Sequence, residues 1–189
     1  MNHSGNFQVI LDACVLYPAS IRDTLLSLAE KELYRPKWSN RIQEEWKSNL
    51  SRNRTDIPLR VLDRTITLMN QHFPDAQIEH FEEIESLLHL PDPNDNHVLA
   101  AAIKSRAEVI VTNNLKDFPA ELLSQYDIEV TDPDTFILNI IDLDPELALV
   151  ALVDQASRLK YPPQTVGDVL TTLEKNGLRK TVERFRSLL

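Results

Sequence analysis

A chain of 189 residues has room for one α/β domain and a small appendage. Its 42% apolar and 26% charged residues allow a packed core and exclude a disordered chain. Three glycines argue against a glycine-rich phosphate loop, the single Cys14 excludes an internal disulfide or a cysteine zinc cluster, and a net charge of −9 speaks against a uniformly basic, polyanion-binding surface.

The opening MNHSGNFQVILDAC has no basic leader and only a short apolar run. No stretch approaches the roughly 18 apolar residues of a membrane span. Together these features predict a cytoplasmic protein. Residues 7–11 read as a buried strand with β-branched residues at its centre. Ser20 followed by Asp23 resembles a capping box and predicts a helix to about Leu33. Ser39 is placed to cap a helix to about Leu50, with Ile42, Trp46 and Leu50 on one face. Pro58 fits the first turn of a helix to about Gln71, on which Leu59, Leu62, Ile66 and Met69 keep helical spacing.

Residues 78–81 read as a short strand and 81–88 as a short helix. Asn94 or Asp95 opens a helix through Ser105, with Val98, Leu99, Ala102 and Ile103 facing inward. Residues 109–111 and 128–130 are further strands. Strand and helix alternating in this order imply a parallel sheet with helical crossovers. From Pro133 the pattern turns all-helical, over 133–141, 145–159, 164–176 and 178–188, with Thr165 near a start and Gly177 at a stop. The expected organisation is an α/β domain over 1–131 and a helical extension over 132–189. With no flexible linker between them, the two should pack closely.

Asp12 ends the first strand, where parallel α/β sheets place their ligands. Asp92 and Asp95 lie in the turn before a helix, and Asp117 follows the strand VIVT through NNLK. Capping or turn formation explains each acid singly. As a set they suggest phosphodiester hydrolysis, which needs a positioned water and charge neutralisation at phosphorus; divalent ions held by carboxylates supply both. Hard oxygen ligands select Mg²⁺ or Mn²⁺. Such ions also let a net acidic chain meet a polyanion.

Two segments run against the overall charge. Residues 31–64 hold nine Lys/Arg against five Asp/Glu, and residues 171–189 hold five against two. Each is either a solvated helix face or a phosphate-contacting surface; Lys47, Arg52, Arg54, Arg60 and Arg64 are the candidate RNA contacts. Trp38 and Trp46 are placed either to stack on bases or, for Trp46, to fill the core. His97 reads as a helix-face residue or a phosphate contact, and Cys14 as a buried thiol. Ser4 and Ser20 show no partner for nucleophilic catalysis.

The stretches VILDACVLYP, SNRIQEEW and DPNDNHVLAAAIKSRAEVIVTNNLKDFP, in that order and spacing, resemble PIN-domain proteins of the kind found as toxins of bacterial VapBC toxin–antitoxin pairs. The resemblance covers about residues 7–131, and the helical tail is similar to the C-terminal extension of one subgroup. It implies a three-layer fold with a central, mainly parallel sheet and a Mg²⁺- or Mn²⁺-dependent ribonuclease with four acids. These fall on Asp12, Glu45, Asp95 and Asp117. Thr112 and Asn113 match polar residues that support such a site, and Asp92 matches an extra acid of the subgroup. An antitoxin lying across the acidic cleft, and pairing as a homodimer, are the partners it implies.

The sequence also suggests a protein partner independently. Ile137, Leu138, Ile140, Ile141 and Leu143 crowd one stretch, and Leu147, Leu149, Val150, Leu152 and Val153 follow. Packing of the tail on the core is the competing account. The basic last helix, with Arg179, Lys180, Arg184 and Arg186, is either an RNA lip or a dock for an acidic segment. Two other functions compete with the nuclease. A non-catalytic member of the fold would bind RNA or protein alone, but four intact acids favour the enzyme. A phosphatase using Asp12 as nucleophile would carry a second Asp two residues on, where this chain has Cys14.

Overall fold

The computed structural model describes residues 7–189. The opening segment with Ser4 lies outside the described residues. Five short strands form one parallel sheet in the order β3-β2-β1-β4-β5. They are β1 (Gln8–Leu11), β2 (Arg35–Ser39), β3 (Gln77–Ile78), β4 (Val109–Val111) and β5 (Glu129–Thr131). Between them run α1 (Ala13–Leu16), α2 (Ala19–Glu30), α3 (Asn40–Asn53), α4 (Leu59–His72), α5 (Glu82–Glu85), α6 (Asn96–Ser105) and α7 (Ala120–Leu123). The tail is helical throughout: α8 (Pro133–Leu143), α9 (Pro145–Arg158), α10 (Val166–Lys175) and α11 (Arg179–Leu188).

The central strands are apolar on both faces because helices cover both. Val9, Ile10, Leu11, Ile110 and Val111 have no exposed surface. Against them pack Val98, Leu99, Ala101 and Ala102 of α6, the segment expected to face inward, although Ile103 is only partly buried. β1 and β4 lie side by side in the middle of the sheet, so the residues that leave their carboxyl ends emerge together.

Two local expectations fail. Ser20 does not cap α2: Pro18 precedes the helix, and Ser20 sits inside it with its carbonyl accepting a bond from Thr24. Asp23 instead faces a largely buried setting, which raises its pKa despite Arg22 and Arg158 nearby. A capping box does occur, at the start of α10, where Thr165 and Asp168 bond reciprocally. The second miss is β2 itself. RPKWS carries Pro and two cations, a poor strand by composition. Yet Arg35 N–H donates to Phe7 on one side and Trp38 N–H to Ala76 on the other. Backbone bonds alternate sides along a strand, so Pro36 faces the β3 side, where β3 begins only opposite Trp38. The missing N–H therefore breaks no ladder.

Trp38 and Trp46 are fully buried, which removes both as stacking platforms. Trp38 Nε1 donates to Asn70 at 2.9 Å and Trp46 Nε1 to Gln43 at 2.6 Å. The Arg22 guanidinium lies 4.7 Å from the centre of the Trp46 ring and donates to the Leu16 carbonyl at the end of α1. α1 and α3 are thereby tied together behind Asp12.

The helical tail is not tethered but packed. α9 lies along α2, with Thr24 donating to Gln155 at 3.0 Å in a buried contact and Lys31 paired with Asp154. The Tyr34 and Phe136 rings meet edge to face at 5.1 Å. Asp134 of α8 accepts from the backbone N–H of Lys180 and Thr181, so a side chain from another helix caps α11. Gly177 turns the chain between α10 and α11 at φ +93°, a value that favours glycine. Ile137, Ile140, Ile141 and Leu152 are absorbed by this packing, whereas Leu143 at the end of α8 and Leu147, Val150 and Val153 along one side of α9 stay exposed. Arg184 pairs with Asp142 and Arg186 with Glu174, so half of the basic character of α11 is neutralised among the tail helices. No helix among the described residues is long and apolar enough to cross a membrane.

Candidate active site

Asp12 leaves β1 and caps α1, and only 4% of it is exposed. Its Oδ1 accepts from the Ala13 N–H at 2.6 Å. Its Oδ2 accepts from Thr112 Oγ1 at 2.7 Å and from the Cys14 thiol at 3.0 Å. Thr112 is delivered by the carboxyl end of β4, and its hydroxyl also accepts from Asn114 N–H at 3.0 Å. These hydrogen bonds offset the cost of burying the carboxylate. Cys14 shares this network, accepting from Asn113 N–H at 3.2 Å. Burial, and next the charge of Asp12, push its thiol up to about 12, so it is no thiolate nucleophile at neutral pH.

A cleft of about 340 Å³ opens at this edge of the sheet. Asp12, Glu45 and Asp95 are its acids; Tyr17, Asn49, Asn53 and Asn114 are its neutral polar residues. No Lys or Arg lines it. Glu45 turns inward from α3, while Glu44 points out and pairs with Lys47 at 2.9 Å. Asp95 ends the short turn 93–95 that leads into α6. Its neighbour Asn96 turns elsewhere, bridging Leu88 O and Leu90 N.

Asp95 reports the electrostatics. Desolvation chiefly, then the charges of Asp12, Asp92, Asp117 and Glu45, raise its carboxyl to about 6. All four other acids therefore act on one carboxylate. Asp92 does so while capping its own turn, accepting from Asn94 N–H at 2.9 Å. Asp117 reaches the region from the turn 115–117 after β4. Asn113 contributes its backbone N–H to Cys14, and its neighbour Asn114 is the one that lines the cleft.

His97 is the residue sequence reasoning undervalued. It is 1% exposed, its Nε2 lies 3.4 Å from Glu45 Oε2, and its Nδ1 is buried without a hydrogen-bond partner. Position i+2 from Asp95 on an apolar helix gave no signal of this contact across to α3. Asn49 and Asn53 were missed too, although their spacing of four and eight from Glu45 places all three on one helix face.

The donor set fits a hard divalent cation: carboxylate oxygens share one cleft whose mutual repulsion no basic side chain offsets. Among the described residues no three Asp, Glu, His or Cys side chains already stand grouped at one point as a ready ligand set.

A parallel sheet with acids gathered at its carboxyl edge is the pattern expected of a PIN domain, and the comparisons agree. The PIN domain family model matches residues 8–116, more than half of the chain, and the chain belongs to that family. The model of the VapC50 C-terminal domain matches residues 133–187. A protein of Mycobacterium tuberculosis (strain ATCC 25618 / H37Rv) named "Putative ribonuclease VapC50" is 43% identical over 79 residues, 42% of this chain and 47% of that protein. The match thus spans about half the length of that relative. No solved structure matches.

Proposed function

We propose that the chain is a divalent-metal-dependent endoribonuclease, the toxin of a toxin–antitoxin pair. The observation that carries the reading is the cleft in which Asp12, Glu45 and Asp95 share space with no cation, with Asp92 and Asp117 within electrostatic reach. Membership of the PIN family and the name of the M. tuberculosis relative support it. Asp12, Glu45, Asp95 and Asp117 would hold Mg²⁺ or Mn²⁺, with Thr112 fixing the Asp12 carboxylate and Asp92 adding charge. Such an ion supplies charge neutralisation at phosphorus and a water of lowered pKa.

The residues themselves do the positioning. Thr112 and the Ala13 N–H hold Asp12 in one orientation. His97 braces Glu45 from the buried side. The thiol of Cys14 donates to Asp12 Oδ2 from the lining of the same cleft. A phosphatase with Asp12 as nucleophile is disfavoured, since both its oxygens already accept hydrogen bonds.

RNA would enter past α3. Arg52 and Arg54 are exposed just beyond its Glu45–Asn53 face, and Arg54 is held by Asp56 at 2.7 Å. Lys47 is clamped between Glu44 and Asp63, so it is the weakest candidate contact. An antitoxin as partner, a homodimer through the exposed side of α9, a cytoplasmic location and a division into 1–131 and 132–189 belong to the same proposal.

Incubation of the purified full-length chain with single-stranded RNA and Mg²⁺ or Mn²⁺ tests the reading. Internal cleavage that stops in excess chelator is expected. Cleavage unaffected by chelator would remove the metal. RNA binding without cleavage would point to a non-catalytic member of the fold.

A further inference from the structure

The geometry points to Tyr17, Asn49 and Asn53 as a nucleobase-reading arm of the cleft, which holds an unstacked base of single-stranded RNA beside the scissile phosphate. This rests on the nuclease reading above and adds the feature that gives it sequence preference.

The cleft is divided chemically. Its acids come from the carboxyl end of β1, from α3 and from the turn before α6, with Asn114 tied to Asp12 through Thr112 on that side. The remaining polar lining is one phenol and two amides, Tyr17, Asn49 and Asn53. Glu45, Asn49 and Asn53 follow at four-residue steps on α3, so the amides continue the line of the acid for about 12 Å along the helix. Tyr17, at the end of α1, closes the far side, and Asn53 Nδ2 donates to its hydroxyl at 3.1 Å.

The hydrogen bonds within this arm leave specific valences open. Arg52 donates to Asn49 Oδ1 at 3.0 Å, which leaves the Asn49 amide N–H groups free. Asn53 spends an N–H on Tyr17, which leaves its Oδ1 as acceptor and the Tyr17 O–H as donor. Donors and an acceptor side by side match the edge of a nucleobase. The phenol ring adds a face on which a base can stack.

A phosphate would not choose this arm. No Lys or Arg lines it, the adjoining Arg52 is spent on Asn49 Oδ1, and the neighbouring acids repel an anion. A base is neutral, and only an unpaired strand can offer its edge and face together. The two parts of the cleft therefore separate two tasks, charge handling at the acids and reading at the amides.

Sequencing of the cut ends from a random single-stranded RNA pool with Mn²⁺, together with kcat and KM on one preferred oligonucleotide, tests this. N49A and N53A should raise KM about fivefold or more and flatten the base preference at one position next to the cut, with kcat changed less than about threefold. Y17F, which keeps the ring, should alter preference with a smaller rise in KM, and Y17A should exceed it. N49Q should recover part of the preference. All three positions border solvent, and a far-UV circular dichroism spectrum like that of the unaltered chain would show the fold is kept. An unchanged preference with unchanged KM would overturn the arm while leaving the nuclease intact. So would a fall in kcat alone. Failure of the unaltered chain to cut any RNA is a different result, and it would overturn the nuclease reading itself.

Discussion

Two polar clefts formed by the described residues differ in how charge is settled. The larger, about 580 Å³, is lined by Glu30, Glu32, Arg35, Lys37, His72 and Asp75 at the amino end of β2. Its charges are of both signs and partly matched: Glu30 lies 3.2 Å from His72 and also pairs with Arg158, and Lys37 donates to the Asp75 backbone carbonyl. The smaller, at the carboxyl ends of β1 and β4, is lined by acids and by no Lys or Arg, with the His97 imidazole beside Glu45 as its one counterpart among the described residues. Size picks the first cleft and electrostatics picks the second. A matched cleft lowers its own free energy, whereas an unmatched one stays costly until a ligand arrives.

The sharpest way to break this comparison is to remove one acid of the unmatched cleft. D12N and D95N should each lower RNA cleavage by about 10³-fold or more in Mg²⁺ at pH 7.5, read by single-turnover gel assays. Loss of less than about tenfold would move the chemistry elsewhere. Next in size is the contrast on one helix. E45Q should cost about 10²-fold, and E44Q, whose carboxylate is committed to Lys47 outside the cleft, less than about twofold.

Stability against pH gives a third, smaller effect. The Asp95 carboxyl is raised in the folded state from 3.8 to about 6. The folded chain then binds more protons than the unfolded one between those values, so this group makes stability fall as pH rises from about 4 to about 6. Without added metal, the melting temperature of the unaltered chain at pH 4.5 relative to pH 7 should exceed that of D95N by about 1–3 °C. At pH 7, D95N should be the more stable protein, because repulsion is relieved. An identical pH response in D95N would refute the crowding of acids. The smallest effect belongs to the matched cleft. E30Q should destabilise the fold by about 0.5 kcal/mol through its partly exposed pairs and leave cleavage within twofold.

Legibility of these features in the sequence tracks how local their causes are. Asp12 follows an apolar run and Asp95 opens an amphipathic helix, so both stand out by pattern alone. The helices of the tail do too, since caps and prolines mark their ends. β2 does not: its residues are tolerated only because its neighbour strand starts late, a fact of register rather than composition. The Ser20 reading failed for a related reason. Pro18 had already started the helix, and the serine hydroxyl faced neither of the free N–H groups expected of a cap. The contact of His97 with Glu45 joins two helices fifty-two positions apart, and no periodicity along either could announce it.

The order of the strands bears on how the protein is made. β1 is synthesised first and ends up at the centre, and the sheet then grows to either side of it. The acids that line the cleft or act on Asp95 within it are spread from residue 12 to residue 117, a span of 105 positions. At roughly 5–20 residues per second, about 5–20 s pass between the first and the last leaving the ribosome. For most of that interval a nascent chain therefore carries Asp12 with neither Asp95 nor Asp117 beside it. Until the last of these acids is in place the proposed site is incomplete, so a nuclease working through it would stay silent for that time.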